Sequence, residues 1–315
     1  MARPATPTLV FLLLTGCAPQ GLSFLSPGGP AAQSELQHFV TITLIALIAI
    51  LPVFVLVPVL LWRYRLRGGR GRYAPRWDES RALELVMWGI PFAIVGFLGF
   101  QLVRNAFDLD PYRPIDPGTA PLRVQAVALN WKWLFILPDQ GVATVDHLTV
   151  PLGVPVEFRL TSDSVMQSFM VSALAGQIYA MPGMETRQFL RADAAGDYVG
   201  RNTQYNGPGF AGQSFVLSAV EPAAFEAWVA DLRAGGGTLD PAGYAVLAAP
   251  STGATAAAAL GRSLPLGFGT VDPGLYEAIL HRYMAPGGVA ASDQPGAPAF
   301  AGATAGHDHG EGGAP

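Results

Sequence analysis

The chain has 315 residues, half of them hydrophobic and only 13% charged, with a formal net charge of −4. That balance suits a chain that meets a membrane, and so small a charge gives no reason to expect a nucleic-acid partner. Cys17 is the only cysteine, which excludes an intrachain disulfide and any zinc site built from several cysteines.

Residues 1–16 read as a signal peptide. Arg3 gives a short basic start, and the apolar run Leu9–Leu14 is far shorter than the roughly 20 residues that cross a bilayer. The order Leu14-Thr15-Gly16-Cys17 resembles a bacterial lipobox. Cleavage there leaves Cys17 first in the mature chain, with acyl lipid (palmitate) on its sulfur and new amino group. A small buried hydrophobe is the alternative reading of Cys17, but its position and the preceding run favour lipidation.

After an external segment (17–38), residues 39–62 are apolar and uncharged and 85–103 form a second such run, ending before Arg104. Each is long enough to span a bilayer. Pro52, Pro58 and Pro91 fall inside them, where membrane helices tolerate proline. Two buried core helices are the alternative. The intervening loop, 63–84, carries seven arginines from Arg63 to Arg81 against Asp78 and Glu79 just ahead of Glu84. That basic excess places the loop in the cytoplasm and both termini outside, in agreement with the lipobox.

A proline-rich linker (104–121) leads into a region of strand signals at Leu122–Ala128, Thr144–Val150, Pro155–Ser162, Thr186–Ala192 and Ser214–Val220, punctuated by Gly, Pro and Asp. Val156, Phe158 and Leu160 alternate onto one face. Many short strands within 122–221 predict a β-sandwich or barrel. Two helices are expected in 222–285. One starts at Pro222 with Phe225, Trp228, Val229 and Leu232 on a face, and one is capped at Asp272-Pro273 with Leu275, Ile279 and Tyr283. Residues 286–315, rich in Gly, Ala and Pro, read as a disordered tail containing His307-Asp308-His309.

Several motifs remain: Asn130-Trp131-Lys132-Trp133-Leu134-Phe135 with Pro138 and Gln140-Gly141; Thr161-Ser162-Asp163-Ser164-Val165-Met166; Gln177 to Met184; Tyr205-Asn206-Gly207-Pro208-Gly209-Phe210; and Glu84, Trp88 and Pro91 in the second span. With the lipobox and the helix pair, these resemble subunit II of the haem–copper respiratory oxidases, most nearly that of the bo-type ubiquinol oxidases. The similarity runs from Leu14 to about Met284. It implies a membrane-anchored α+β protein: a transmembrane helix hairpin, an external cupredoxin-like Greek-key β-sandwich, and C-terminal helices.

In the cytochrome c oxidase branch that external domain holds a two-copper centre. Laid on its pattern, the ligand positions are here Gln167, Asn202, Gln204, Asn206, Phe210 and Gln213, none of them a thiolate, imidazole, carboxylate or thioether. The resemblance therefore implies a chain without its own copper or haem, a membrane quinol as electron donor, and haems and copper in a large catalytic subunit I, with subunits III and IV and membrane lipid as further partners. It places the chain in the bacterial inner membrane with its main domain in the periplasm, as part of a proton-translocating oxidase. It also implies proton uptake near Glu84, for which a merely solvated interfacial carboxylate is the alternative. Trp131, Trp133 and the methionines Met166, Met170, Met181 and Met184 read as packing or subunit contact. A free-standing lipoprotein sensor or scaffold is the competing function, and the Glu84–Trp88–Pro91 pattern speaks against a mere anchor.

Overall fold

The computed structural model describes residues 24–65 and 77–283. Cys17, the signal segment, most of the arginine loop and the His307–His309 tail lie outside the described residues.

Helix α1 (Pro30–Arg63) opens with a proline in its first turn behind Gly29, and α2 (Arg81–Asp108) opens on Ser80, whose hydroxyl accepts from the Leu83 amide at 3.5 Å. Proline lacks an N–H that the first turn would leave unpaired, and serine supplies an acceptor for one that remains. Both helices are long and apolar enough to cross a membrane, with best 18-residue windows of mean hydropathy 3.1 and 1.9. Each extends beyond its apolar run. The first turns of α1 are polar and rest on protein: Ala32 is fully buried, and the Gly28 and Ala32 amides donate to the Ala173 and Leu174 carbonyls at 2.7 and 3.2 Å. Hydropathy registers only the part of a helix that faces lipid.

The following domain is a β-sandwich. One sheet runs β12-β3-β2-β1-β5-β8 and the other β4-β10-β9-β6-β7, with β1 Leu122–Leu129, β2 Lys132–Leu137, β3 Val142–Val145, β4 His147–Pro151, β5 Val156–Ser162, β6 Gln167–Val171, β7 Ala175–Ala180, β8 Thr186–Leu190, β9 Gly196–Arg201, β10 Ser214–Val220 and β12 Gly267–Phe268. The chain passes repeatedly from sheet to sheet, so β1 pairs in parallel with β5 and β4 with β10. This is the cupredoxin-like architecture that the resemblance implies. Between the sheets Val156, Phe158 and Leu160 meet Trp133, Phe135, Phe169 and Phe215. The Phe169 and Phe215 rings stack at 5.1 Å, and Trp133 stands edge-on to Phe169 at 5.3 Å. Gly200 makes room for this cluster: a Cβ there would sit 1.9 Å from the Phe215 ring.

Three expectations need correction. Thr144–Val150 is two strands, β3 and β4, in different sheets, because Asp146 takes a left-handed backbone (φ 57°) between them. Residues 222–283 hold four helices rather than two: α3 Pro222–Gly235, α4 Pro241–Ala248, α5 Gly253–Ala259 and α6 Leu275–His281, with the short parallel pair β11 Thr238–Leu239 and β13 Thr270–Val271. The sequence of α5, GATAAAA, has no apolar periodicity to reveal it. The last helix begins two residues later than a cap at Asp272-Pro273 implies, with Gly274 at its cap, and Tyr283 lies beyond its end. Helix α3 carries the expected face: Phe225 and Val229 are buried, with Trp228 and Leu232 packed beside them.

The added helices explain a strand that periodicity missed. They cover the outer face of the first sheet, where Val127, Leu129, Leu134, Ile136 and Val145 meet Tyr244, Leu247, Ala256 and Ile279 in a second core. Strand β2 is therefore buried at every position, and a strand covered on both faces shows no alternation.

Candidate functional site

The six positions of the copper pattern converge at one end of the sandwich. Gln167 opens β6, Asn202 follows β9, Gln204 and Asn206 lie in the connecting loop, Phe210 starts a 3-10 turn (Phe210–Gly212), and Gln213 precedes β10. Facing them is the turn between β1 and β2, where Trp131 has φ 68°. This turn aims the Leu129 and Lys132 carbonyls at the loop.

Four of the six form a hydrogen-bonded amide network around Gln213. Its Nε2 donates to Gln167 Oε1 at 2.6 Å, and to the Leu129 and Lys132 carbonyls at 3.3 and 3.5 Å. Its Oε1 accepts from Asn202 Nδ2 at 3.0 Å and Asn206 Nδ2 at 2.7 Å. Gln167 Nε2 donates to the Leu129 carbonyl (3.0 Å) and to Ser164 Oγ (2.8 Å). Asn202 Oδ1 accepts from the Ser168 and Gln204 amides, both at 3.0 Å, and from Ser168 Oγ at 3.3 Å. Gln167, Asn202 and Gln213 are buried, at 0%, 4% and 2% exposure. Neither the Gln204 side chain nor Phe210 joins this network; the Phe210 ring stands edge-on to Tyr205 at 5.6 Å.

These donors do not fit copper. An amide nitrogen has no free lone pair, and the amide oxygens here are neutral and hard, those of Gln167, Asn202 and Gln213 already committed to donors, whereas the metal selects thiolate and imidazole. Among the described residues no group of three or more His, Cys, Asp or Glu side chains gathers as a metal site. The network instead does the job of a small polar core: buried amides that satisfy one another fix the loop positions.

Trp131 closes this end from outside. It is half-buried, its Nε1 donates to the Asn206 carbonyl at 3.3 Å, and a Cβ on Gly209 would meet its ring at 2.2 Å. Trp133 is fully buried in the sandwich core. Of the methionines, Met170 is half-buried within β6, Met181 and Met184 flank a turn closed by the Met184 amide on the Met181 carbonyl, and Met166 is exposed.

Two charged clusters next to the amides escaped the sequence reading. Lys132 is fully buried, and its Nζ donates to the carbonyls of Asn130 (3.2 Å), Ala249 (3.0 Å) and Ser251 (2.9 Å) and to Ser251 Oγ (3.0 Å), fastening the α4–α5 connection to β2. Desolvation pulls its ammonium down to about 8, against the nearby Asp146 carboxylate; the same desolvation pushes Asp146 up to about 7, although the Trp133 amide donates to it at 2.7 Å. Asp163 has a fully buried carboxylate that accepts from Tyr244 Oη, Arg282 Nη1 (2.7 Å) and Tyr283 Oη (2.9 Å). It joins the β5–β6 loop to the end of the helical region. The signal for both was a charge inside an otherwise apolar motif, and only the fold supplies the distant partners.

Glu84 stands in the first turn of α2 and is exposed. Trp88 and Pro91 follow at i+4 and i+7, so all three lie along one helix face, and the Trp88 ring lies 6.3 Å from Phe92. At the other end of the hairpin, Asn105 and His38 join the two helices through a 2.7 Å bond between Nδ2 and Nδ1. The hairpin end carrying Glu84 is thus remote along the helices from the end that meets the sandwich.

No family model matches the chain. It is 38% identical over 274 residues to ubiquinol oxidase subunit 2 of Acetobacter aceti, covering 86% of this chain and 85% of that one. It is 40% identical over 245 residues to the cytochrome bo(3) ubiquinol oxidase subunit 2 of Pseudomonas putida, covering 78% and 77%. Among solved structures, the periplasmic domain of cytochrome oxidase subunit II from Bradyrhizobium japonicum superposes with a TM-score of 0.35 at 22% identity, over 36% of this chain and 94% of that one. With more than a third of the residues identical over most of both lengths, and with two apolar helices ahead of the sandwich, the chain is a membrane protein that belongs to the ubiquinol oxidase subunit 2 family.

Proposed function

We propose that this chain is the non-catalytic second subunit of a membrane-bound ubiquinol oxidase, an oxidoreductase that passes electrons from quinol to oxygen and releases water. The observation that carries this reading is the buried amide network around Gln213, formed by residues that the resemblance matches to the copper ligands of the cytochrome c oxidase branch. A domain filled in this way offers no inlet for electrons from a soluble carrier, so the donor is a lipid-soluble quinol handled by a partner. Haems, catalytic copper and the quinol site belong to subunit I in this reading, and subunits III and IV complete the assembly.

This chain contributes structure and, at one point, protons. The hairpin packs against subunit I within the bilayer, and the sandwich caps it on the periplasmic side. Glu84, at the cytoplasmic rim and in line with Trp88 and Pro91, collects protons for a polar chain in the neighbouring subunit of a proton-translocating enzyme. Acylated Cys17 adds an anchor on the outer face. The deciding experiment purifies the complex through a tag on this chain in mild detergent and measures visible spectra and quinol-dependent oxygen uptake. Haem-bearing partners and quinol oxidase activity are expected. A chain that leaves the membrane alone, without haem, would overturn the proposal.

A further inference from the structure

A cavity of about 480 Å³ lies where the hairpin meets the sandwich. Its wall includes Ser34 and Glu35 of α1, Asp108 at the end of α2, Asp110 and Arg113 of the linker, and Gln188 of β8. The linker wall is held in place by the Phe189 amide, which donates to the Pro111 carbonyl at 3.1 Å. Three carboxylates face one guanidinium, and Arg113 Nη1 sits 3.6 Å from Asp108 Oδ1. The Gly176 amide donates to the Glu35 carboxylate.

The wall also holds an acceptor with nothing to accept. Gln188 is 3% exposed, its Nε2 donates to the Gly176 carbonyl at 2.8 Å, and its Oε1 is buried with no partner among the described residues. A buried carbonyl oxygen without a donor is unfavourable, and a hydrogen-bond donor brought by a ligand would remove that cost. Acceptors therefore dominate this cavity, with a single cation at its edge.

Its height along the hairpin narrows the ligand. At about 1.5 Å per residue, Glu35 lies about 6 Å outside the apolar run that starts at Phe39, and Asp108 about 7.5 Å beyond Val103. The headgroup layer of a bilayer leaflet is about 5–8 Å deep. We propose that this cavity binds the headgroup of an amine-bearing phospholipid of the phosphatidylethanolamine type, with the primary ammonium among Glu35, Asp110 and the Gln188 carbonyl and the phosphate against Arg113. A primary ammonium has three N–H donors to give; a choline headgroup has none, and a glycerol headgroup brings no positive charge. The inference rests on the membrane reading above, and it adds a specific lipid to it.

The test uses the full chain in its purified complex. Extensive detergent washing followed by mass spectrometry of retained lipid is expected to leave phosphatidylethanolamine with the wild type and to show the loss of one such molecule per complex in Glu35→Gln, with other lipids unchanged. Arg113→Gln, which alters an exposed side chain, is expected to lose the same lipid even if Glu35→Gln assembles poorly. In delipidated samples, vesicles of phosphatidylethanolamine should raise the unfolding temperature, and those of phosphatidylglycerol or phosphatidylcholine should not. Equal retention in both variants, or equal stabilisation by the other lipids, would overturn the site; equal stabilisation by soluble phosphoethanolamine would overturn the lipid as its occupant. If the chain purifies without a haem-bearing partner, the proposed function fails while the lipid count on the chain still decides this site.

Discussion

Gln213 Nε2 and Gln167 Oε1 meet at 2.6 Å, tying the loop before β10 to the start of β6 through two side chains with almost no exposed surface. The bond closes the end of the sandwich by amide pairing.

Replacing the hub tests that role. Gln213→Met keeps the volume but leaves Gln167 Oε1 and the Asn202 and Asn206 amides short of a partner. With about 1–3 kcal/mol for each buried group left unpaired, three such groups should cost at least about 3 kcal/mol of stability, seen as a lower unfolding temperature. Gln213→Glu should be worse, since it aims a carboxylate oxygen at Gln167 Oε1 and the Leu129 carbonyl.

Copper loading is the companion test. After incubation with copper and dialysis, the wild-type chain is expected to retain none, because no thiolate or imidazole stands at Gln167, Asn202, Gln204, Asn206, Phe210 or Gln213. Stoichiometric copper with strong visible absorption would contradict the assignment.

The Asp163 clasp should control the C-terminal helices. Asp163→Ala leaves Arg282, Tyr244 and Tyr283 without their shared acceptor, and breaking a buried pair costs about 3–5 kcal/mol. Half-exposed Arg282 can turn to solvent, which places the loss at the lower end. Tyr283→Phe should cost about 1 kcal/mol. Limited proteolysis within 240–283 should accelerate in the first variant and change little in the second.

Stability should depend on pH through Lys132 and Asp146. Burial raises Asp146 from 3.8 to about 7, so its contribution is fully present below 3.8 and is lost as pH rises through 7. Lys132 is lowered from 10.5 to about 8, so its contribution is present above 10.5 and is lost as pH falls through 8. The pair is therefore least favourable between about 7 and 8, where both groups are charged. In unfolding temperature against pH, Asp146→Asn should flatten the fall between 4 and 7, and Lys132→Met the rise above 8. A difference curve that does not change with pH would show that these groups titrate alike in the folded and unfolded chain.

Glu84→Ala and Glu84→Gln should slow quinol-driven oxygen reduction in a complex with full haem content, while Glu84→Asp retains part of the rate. Unchanged turnover across the working pH range would remove Glu84 from the mechanism.

Cys17→Ser should abolish acylation, measured by labelled palmitate, yet leave the chain in the membrane fraction, because one lipid chain adds little beside transmembrane helices. Appearance of the variant in the soluble fraction would show that the two apolar helices do not anchor the chain.

The sequence by itself determined the two apolar helices, the start of the sandwich at Leu122, the face of α3, and the family, because hydropathy, proline caps and motif spacing are local. It also displayed Gln, Asn or Phe at all six positions that the resemblance matches to copper ligands, since that is a matter of residue type. Tertiary structure alone decided how these side chains pair: Gln167 and Gln213 are 46 residues apart, and nothing local pairs their amides. The same holds for Lys132 with Ala249 and for Asp163 with Arg282. Strand β2 was hidden for a related reason, as burial on both faces erases the alternation that announces a strand. Local pattern announces the elements that keep one face toward solvent or lipid, and only long-range packing fixes the rest and which buried polar groups must satisfy one another.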